Sequence, residues 1–420
     1  MSTKLKVGVM GAYRGMTMIR TLAKHPDAEV VAICDFHQPV LDECKKFCEE
    51  NDKANVKLYS DFEDFFKHDM DAVVLANYAD EHAPYAIRLL KSGRHVMSEV
   101  LPVANMKEAV ELCEAVEESG KVYTYAENYC YFLSTFEMKR RYQSGFIGEI
   151  RHAECEYIHD CTSIWPQITY GDKNHWRNRL FATFYCTHSI GPILTITGLR
   201  PVKVVGFEVL PDKRMMELGS RSGNAGIEIL ELENGATVKS VHGGLKREPS
   251  SVWYNIYGTR GFMESDRWGE GVCGLNAYRE DSDKSCQGDL THYRPDPYIN
   301  TELAKEISSH GGGDFYTVYF FIEKILGRED GKHAIDVYTA IDMGICGIQA
   351  YRSVLNGNVP MEIPNFRDKA VREKYRNDTA CCNPAVAGDQ LWPSYSKGEL
   401  DIPDSAYEYT KKLWQDGQPG

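Results

Sequence analysis

No uninterrupted apolar run in the 420 residues approaches the ~18 that a membrane-crossing helix needs. Basic charge is also scarce. Lys and Arg number 48 against 61 Asp and Glu, a formal net charge of −13, so neither nucleic acid nor an anionic bilayer is expected as partner. No C-x-x-C spacing occurs. The 13 cysteines are odd in number and scattered, which argues against a disulfide framework and for reduced thiols. The start, MSTKLKVGVMGAYRG, shows no signal-peptide core, and a cytoplasmic protein is expected. Internal repeats and low-complexity tracts are absent too. What is present, 43% hydrophobic and 26% charged residues, suits a globular chain of roughly two or three domains.

The first 128 residues alternate strand and helix signals. Short apolar or β-branched runs fall at 5–9, 29–33, 71–76, 95–98 and 122–126. Between them lie helical stripes such as Val40, Leu41, Cys44, Phe47 and Cys48, or Ala109, Leu112, Cys113 and Val116. Stop signals (His25-Pro26, Ser92-Gly93, Ser119-Gly120) precede the next strands. This rhythm predicts βαβ crossovers and a doubly wound parallel sheet over 1–128. After Asn128, a helix near 131–144 gives way to longer strand-like runs at 149–158, 202–210, 226–233, 237–243 and 251–259. Asn234-Gly235 marks a hairpin. Late helices are expected around 314–326 and 334–355. Residues 129–363 therefore read as an α+β domain with a mainly antiparallel sheet, and 364–420 as a polar, extended tail that wraps a neighbour.

Glycines between the first strand and first helix suit a dinucleotide pyrophosphate, which needs a tight turn and a free helix N-terminus. Here the run is Gly8-Val-Met-Gly11-Ala12-Tyr13-Arg14-Gly15, one residue short of G-x-G-x-x-G, with Tyr13 where a glycine would fall. Asp35 at the end of the second strand would accept ribose hydroxyls and repel a 2′-phosphate, favouring NAD over NADP. Asn77, Glu99 and Glu127-Asn128 follow three later strands at the edge where an open sheet binds its ligand. His82 either lines the cofactor or caps its helix. Tyr185 and His188 share a face if 181–194 is helical, and a histidine beside a phenol suits proton transfer from a hydroxyl. Trp176-Arg177 either closes over the nicotinamide or binds a substrate hydroxyl; a plain surface stack is the other reading. His159, Asp160, His175, His188, Glu127 and Glu154 match no compact metal motif, and a metal requirement is left open. His310-Gly-Gly-Gly-Asp314 either brings backbone to a ligand or simply starts a helix.

These segments together resemble the Gfo/Idh/MocA oxidoreductases over roughly residues 4–365, and within them the branch containing glycoside hydrolase family 109. The likeness is carried by Glu127-Asn-Tyr-Cys-Tyr131, Gly148 to Asp160, Trp176-Arg177, Tyr185-Cys-Thr-His188-Ser-Ile-Gly-Pro192 and His310 to Asp314. The resemblance implies an NAD-binding Rossmann domain followed by a glucose–fructose-oxidoreductase-like domain, a carbohydrate or glycoside substrate, and a homodimer or homotetramer. It also implies substrate-facing roles for Glu127, Tyr157, Tyr185 and His188. One departure stands out. The family's Glu-Lys-Pro is here Glu99-Val100-Leu101-Pro102, without the usual catalytic lysine.

The expected reaction is hydride transfer to NAD from a ring carbinol, C3 by expectation, with His188 and Tyr185 taking the hydroxyl proton. One course continues to glycoside cleavage with NAD recycled. A second releases a ketosugar and NADH. A third reading, favoured by the missing lysine, is a protein that binds NAD and sugar without turnover.

Overall fold

The computed structural model of the chain describes residues 4–269, 271–281, 288–299, 301–307 and 309–420. Its contacts divide into two units. One holds the chain up to Phe132 with Pro297–Ile341 and Arg372–Arg376; the other holds Leu133–Asp296, Asp342–Val371 and everything from Asn377 on.

The first unit contains six parallel strands: β1 (Leu5–Met10), β2 (Ala28–Cys34), β3 (Lys57–Tyr59), β4 (Ala72–Leu75), β5 (His95–Ser98) and β6 (Tyr123–Tyr125). Their order, β3-β2-β1-β4-β5-β6, reverses direction between β1 and β4, the switch point of a dinucleotide fold. β4 reads Ala-Val-Val-Leu and is buried throughout, as a strand covered on both faces must be. The short edge strand β3 has no counterpart among the expected runs, because three residues with none fully buried leave no periodicity to read. The helix Met106–Ser119 starts on a variant of the capping box, in which Glu108 reaches back to the residue before the N-cap Asn105. Asn105 Oδ1 accepts from Glu108 N at 2.9 Å, and Glu108 Oε2 accepts from Ala104 N at 2.7 Å. Later chain completes the core: helix Gly313–Ile325 adds Val318, Phe321 and Ile322 to the cluster of Val7, Val9, Met18 and Ile33. Arg372 is buried, with its guanidinium 3.0 and 2.5 Å from the Glu117 carboxylate.

In the second unit the strands are β7 (Ile150–Ile158), β8 (Pro201–Glu208), β9 (Ala225–Leu232), β10 (Thr237–Gly243), β11 (Ser251–Gly258), β12 (Gly261–Ser265), β13 (Leu275–Arg279), β14 (Leu290–Tyr293) and β15 (Met361–Glu362). They form one open sheet in the order β14-β13-β12-β11-β7-β10-β9-β8-β15. Every neighbouring pair is antiparallel except β7 with β10. The Asn234-Gly235 turn joins β9 to β10, with Gly235 at φ 82°, a left-handed value that glycine adopts at least cost. Helix Thr187–Thr197 is tied to the sheet where Ser189 Oγ meets Ser240 Oγ at 2.8 Å.

Residues 364–420, expected as an extended tail, instead fold back. Helix Asp404–Gln415 buries Ala406, Tyr407, Thr410 and Leu413, an apolar stripe at helical spacing inside a polar composition. Leu413 packs with Trp165, Met215 and Leu218, and Thr410 Oγ1 donates to Leu218 O at 3.1 Å. Cys381 and Cys382 in this segment are buried, and no disulfide links the described cysteines.

Candidate functional site

In the first unit the residues singled out for the cofactor gather at the carboxyl ends of the strands. Gly11 has φ 86°, and a Cβ there would fall 2.3 Å from the Ala76 and Asn77 backbone, so only glycine fits. Gly15 lies one helical turn on, where a Cβ would press within 2.8 Å of Val9 Cγ1. Asp35 is spent in part on this turn. Its Oδ2 accepts from Ala12 N at 2.7 Å and its Oδ1 from His37 N at 2.9 Å. The shortened glycine run thus brings the helix start to the Asp35 carboxylate, which keeps lone pairs for ribose hydroxyls. Tyr13 is exposed. Asn77 Oδ1 is a buried polar atom with no hydrogen-bond partner among the described residues, as a ligand-facing group would be.

The other expected residues divide. His82 is buried with Nδ1 2.8 Å from Leu101 O and Nε2 3.2 Å from Asn77 O. Burial pushes its pKa down against the pull of those carbonyls, so a neutral ring gives its proton to one of them. The imidazole therefore holds two ligand-edge loops together, and helix His82–Lys91 begins at this residue rather than being capped by its ring. Arg14 reaches Glu99 Oε1 at 2.7 Å and Asp314 Oδ1 at 2.7 Å. Asn128 Nδ2 donates to the same Asp314 oxygen at 2.8 Å. Glu127 is fully buried, with Oε1 3.3 Å from Tyr129 N. The glycine turn, the orphaned Asn77 oxygen and the acidic end of β2 fit a dinucleotide.

The second unit assembles the proton-transfer candidates. Tyr157 on β7 meets His188 edge to face, ring centroids 4.8 Å apart, and Tyr185 meets His188 at 5.1 Å. The two phenol rings are 6.2 Å apart. Trp176 stacks on Tyr185 at 6.2 Å, and the Arg177 guanidinium sits 4.4 Å over Trp176 and 5.7 Å over Tyr185. Tyr157 Oη and His159 Nδ1 are 3.0 Å apart, a link the sequence reading did not draw. The expected helix over 181–194 is displaced: it spans Thr187–Thr197, and Tyr185 lies in the turn before it. The rings still meet because Cys186, between Tyr185 and the helix, has helical backbone angles (φ −77°, ψ −15°), so the i, i+3 spacing still brings them to one side.

His188 is held by chemistry on its own helix. Pro192 has no N–H, so the His188 carbonyl four residues earlier lacks its helical donor. Tyr254 on β11, buried and missed in the sequence, supplies one: its hydroxyl donates to His188 O at 2.5 Å. The signal available was only its place in the strand-like run Ser251–Gly258. Among the described residues, no group of three His, Cys, Asp or Glu gathers in a way that could hold a metal ion.

Comparison with known proteins follows the same division. Residues 5–127 match the oxidoreductase family described as an NAD-binding Rossmann fold, and residues 203–373 match the C-terminal domain of glycosyl hydrolase 109. Glycosyl hydrolase family 109 protein 1 of Phocaeicola vulgatus is 25% identical over 401 residues, spanning 86% of this chain and 84% of its own. The family 109 protein of Porphyromonas gingivalis is likewise 25% identical, spanning 86% and 84%. Among solved structures, an oxidoreductase from Agrobacterium radiobacter in complex with NAD+, L-tartaric acid and magnesium superposes with a TM-score of 0.66 at 13% identity. It spans 86% of this chain and 98% of its own. A scyllo-inositol dehydrogenase from Lactobacillus casei with bound NAD(H) and scyllo-inositol gives 0.63 at 17%, spanning 86% and 99%. At these identities the solved structures establish the fold.

Proposed function

Because the chain belongs to the Gfo/Idh/MocA oxidoreductases, with an NAD-binding Rossmann unit and a C-terminal domain of the glycosyl hydrolase 109 kind, we propose that it oxidises a ring carbinol of a sugar or glycoside as the opening step of glycoside cleavage. The observation that carries this reading is the packing of Tyr157, Tyr185 and His188 at 4.8 and 5.1 Å. When bound, NAD supplies a two-electron acceptor for the hydride of the carbinol carbon. The residues that would hold it are Gly11, Ala12, Tyr13, Arg14, Gly15, Asp35, Asn77, Glu99 and Asn128, with His82 fixing the loops beneath.

His188 takes the hydroxyl proton, with Tyr185 beside it as relay. Tyr254 keeps the imidazole's backbone in place. Arg177, flat against Trp176, offers its outward N–H groups to a neighbouring sugar oxygen. The ketone so formed acidifies the adjacent C–H. Tyr157, hydrogen-bonded to His159, is placed to take that proton as the C1 substituent leaves. Glu127, buried at the end of the first Rossmann segment, is assigned to orient a sugar hydroxyl. Water addition and reduction back to the carbinol then leave no net redox change.

The second reading is a net sugar or polyol dehydrogenase. It is favoured by the likeness in fold to the inositol dehydrogenase, while the names of the family 109 relatives favour cleavage. The proposal also includes a homodimer or homotetramer, suited to the open edges of the second unit's sheet, and a cytoplasmic location, suited to unlinked thiols. A panel of aryl glycosides and free sugars in deuterated buffer tests the chemistry. Aglycone release with deuterium at C2 and no lasting absorbance at 340 nm is the expected result. Lasting NADH without cleavage would establish the dehydrogenase, and silence with added NAD would favour a binding protein.

A further inference from the structure

The segment from His310 to Asp314 has no role in the reaction above, yet it is built with care. His310, Gly311 and Gly312 take left-handed φ values of 48°, 59° and 87° in succession. A Cβ on Gly313 would fall 2.3 Å from Asn128 O. This path delivers Asp314, fully buried, into a ring of donors. Arg14 reaches it through both terminal nitrogens (2.7 and 3.3 Å), Asn128 Nδ2 at 2.8 Å and His310 Nδ1 at 2.8 Å. The same Arg14 guanidinium also serves Glu99, whose side chain is 6% exposed.

One guanidinium is thus shared by two buried carboxylates. Burial would push the Asp314 pKa up, but His310 and Arg14 hold it well below the usual carboxylate range, so the group carries its full charge. These residues stand at the carboxyl ends of β1, β5 and β6, the edge outside which an open sheet of this order binds its ligand. We infer that Asp314 is a positioning residue that, with Glu99 and through Arg14, biases the cofactor site toward the oxidised dinucleotide. The nicotinamide ring of NAD+ carries a positive charge that NADH lacks. With His310 neutral, two buried carboxylates against one guanidinium leave a net negative charge at that edge, which favours NAD+, and does so strongly because little water screens it. A site that holds its cofactor oxidised at rest suits chemistry that begins with removal of a hydride.

This inference rests on NAD being the cofactor, and the test separates the two. Dissociation constants for NAD+ and for NADH are measured by titration on the full-length wild type and on the folded variants Asp314→Asn and Glu99→Gln. Each variant removes one negative charge while keeping the side chain's shape. The ratio of the NAD+ to the NADH constant should rise about tenfold in each, a Coulomb effect of the size expected for one charge at partial screening. Equal weakening of both nucleotides, or no change, would overturn the inference and leave Asp314 as packing. If Asp314→Asn does not fold, Glu99→Gln alone decides. A wild type that binds neither nucleotide would instead remove the cofactor assignment itself.

Discussion

Replacing Tyr254 by Phe deletes a single oxygen, but that oxygen is the donor to a carbonyl that Pro192 has left without a helical partner. A buried acceptor stripped of its donor costs about 1–3 kcal/mol. Thermal unfolding of Tyr254→Phe should register a loss of that order, with a fall in turnover as His188 loosens. His188→Gln should lower turnover about 10²–10⁴-fold, the range for losing a positioned acid–base group. Titration should find its NAD affinity unchanged. Tyr157, Tyr185, His188 and Arg177 could be picked out in the sequence by residue type and by resemblance. The meeting of Tyr185 with His188 could be read from the i, i+3 spacing, although the helix starts later than expected; that Tyr157 joins them from β7 could not, because no local pattern relates a strand to a distant helix. Asp314 was still less legible. Its main partner, Arg14, is 300 residues away, and no local pattern records a contact of that span.

Helix Met106–Ser119 carries a pH dependence in its cap. Burial pushes Glu108 up to about 7, although Ala104 N and Asn105 Nδ2 both donate to it. Between the ordinary carboxylate value and about 7, the folded chain holds a proton that the unfolded chain has lost. Stability therefore falls as pH rises through that window and levels off above it, by up to about 3 kcal/mol. Urea unfolding at pH 5 and pH 8 should show this difference between wild type and Glu108→Gln, in which it disappears. Elements of this length announced themselves in the sequence because a 3.6-residue stripe repeats over several turns. Strands β12, β13 and β14 did not, since five residues or fewer give two alternations at most, and β14 has no buried face to supply a contrast. The late helices were placed within a few residues by their apolar stripes. The fold-back of Asp404–Gln415 was hidden because its buried face is short and its composition polar.

Parallel Rossmann sheets are often treated as a detachable amino-terminal module, and the first 128 residues read as one. Here the first unit draws Val318, Phe321 and Ile322 from helix Gly313–Ile325, and Arg372 from still further on. A fragment ending at Phe132 would expose the apolar surface that those side chains cover. It should show a broad, uncooperative unfolding curve and aggregate, and scanning calorimetry of that fragment beside the full chain checks this. The same interleaving sets a clock on synthesis. The chain passes from one unit to the other at residues 132, 296, 341, 371 and 376, so the nucleotide-binding half is complete only after residue 376 has been made. At about 5–20 residues per second, the nascent protein spends roughly 12–49 s between residues 132 and 376 with the six strands of its first sheet made but their core not yet closed. The order of the chain therefore works against early folding of an independent amino-terminal domain.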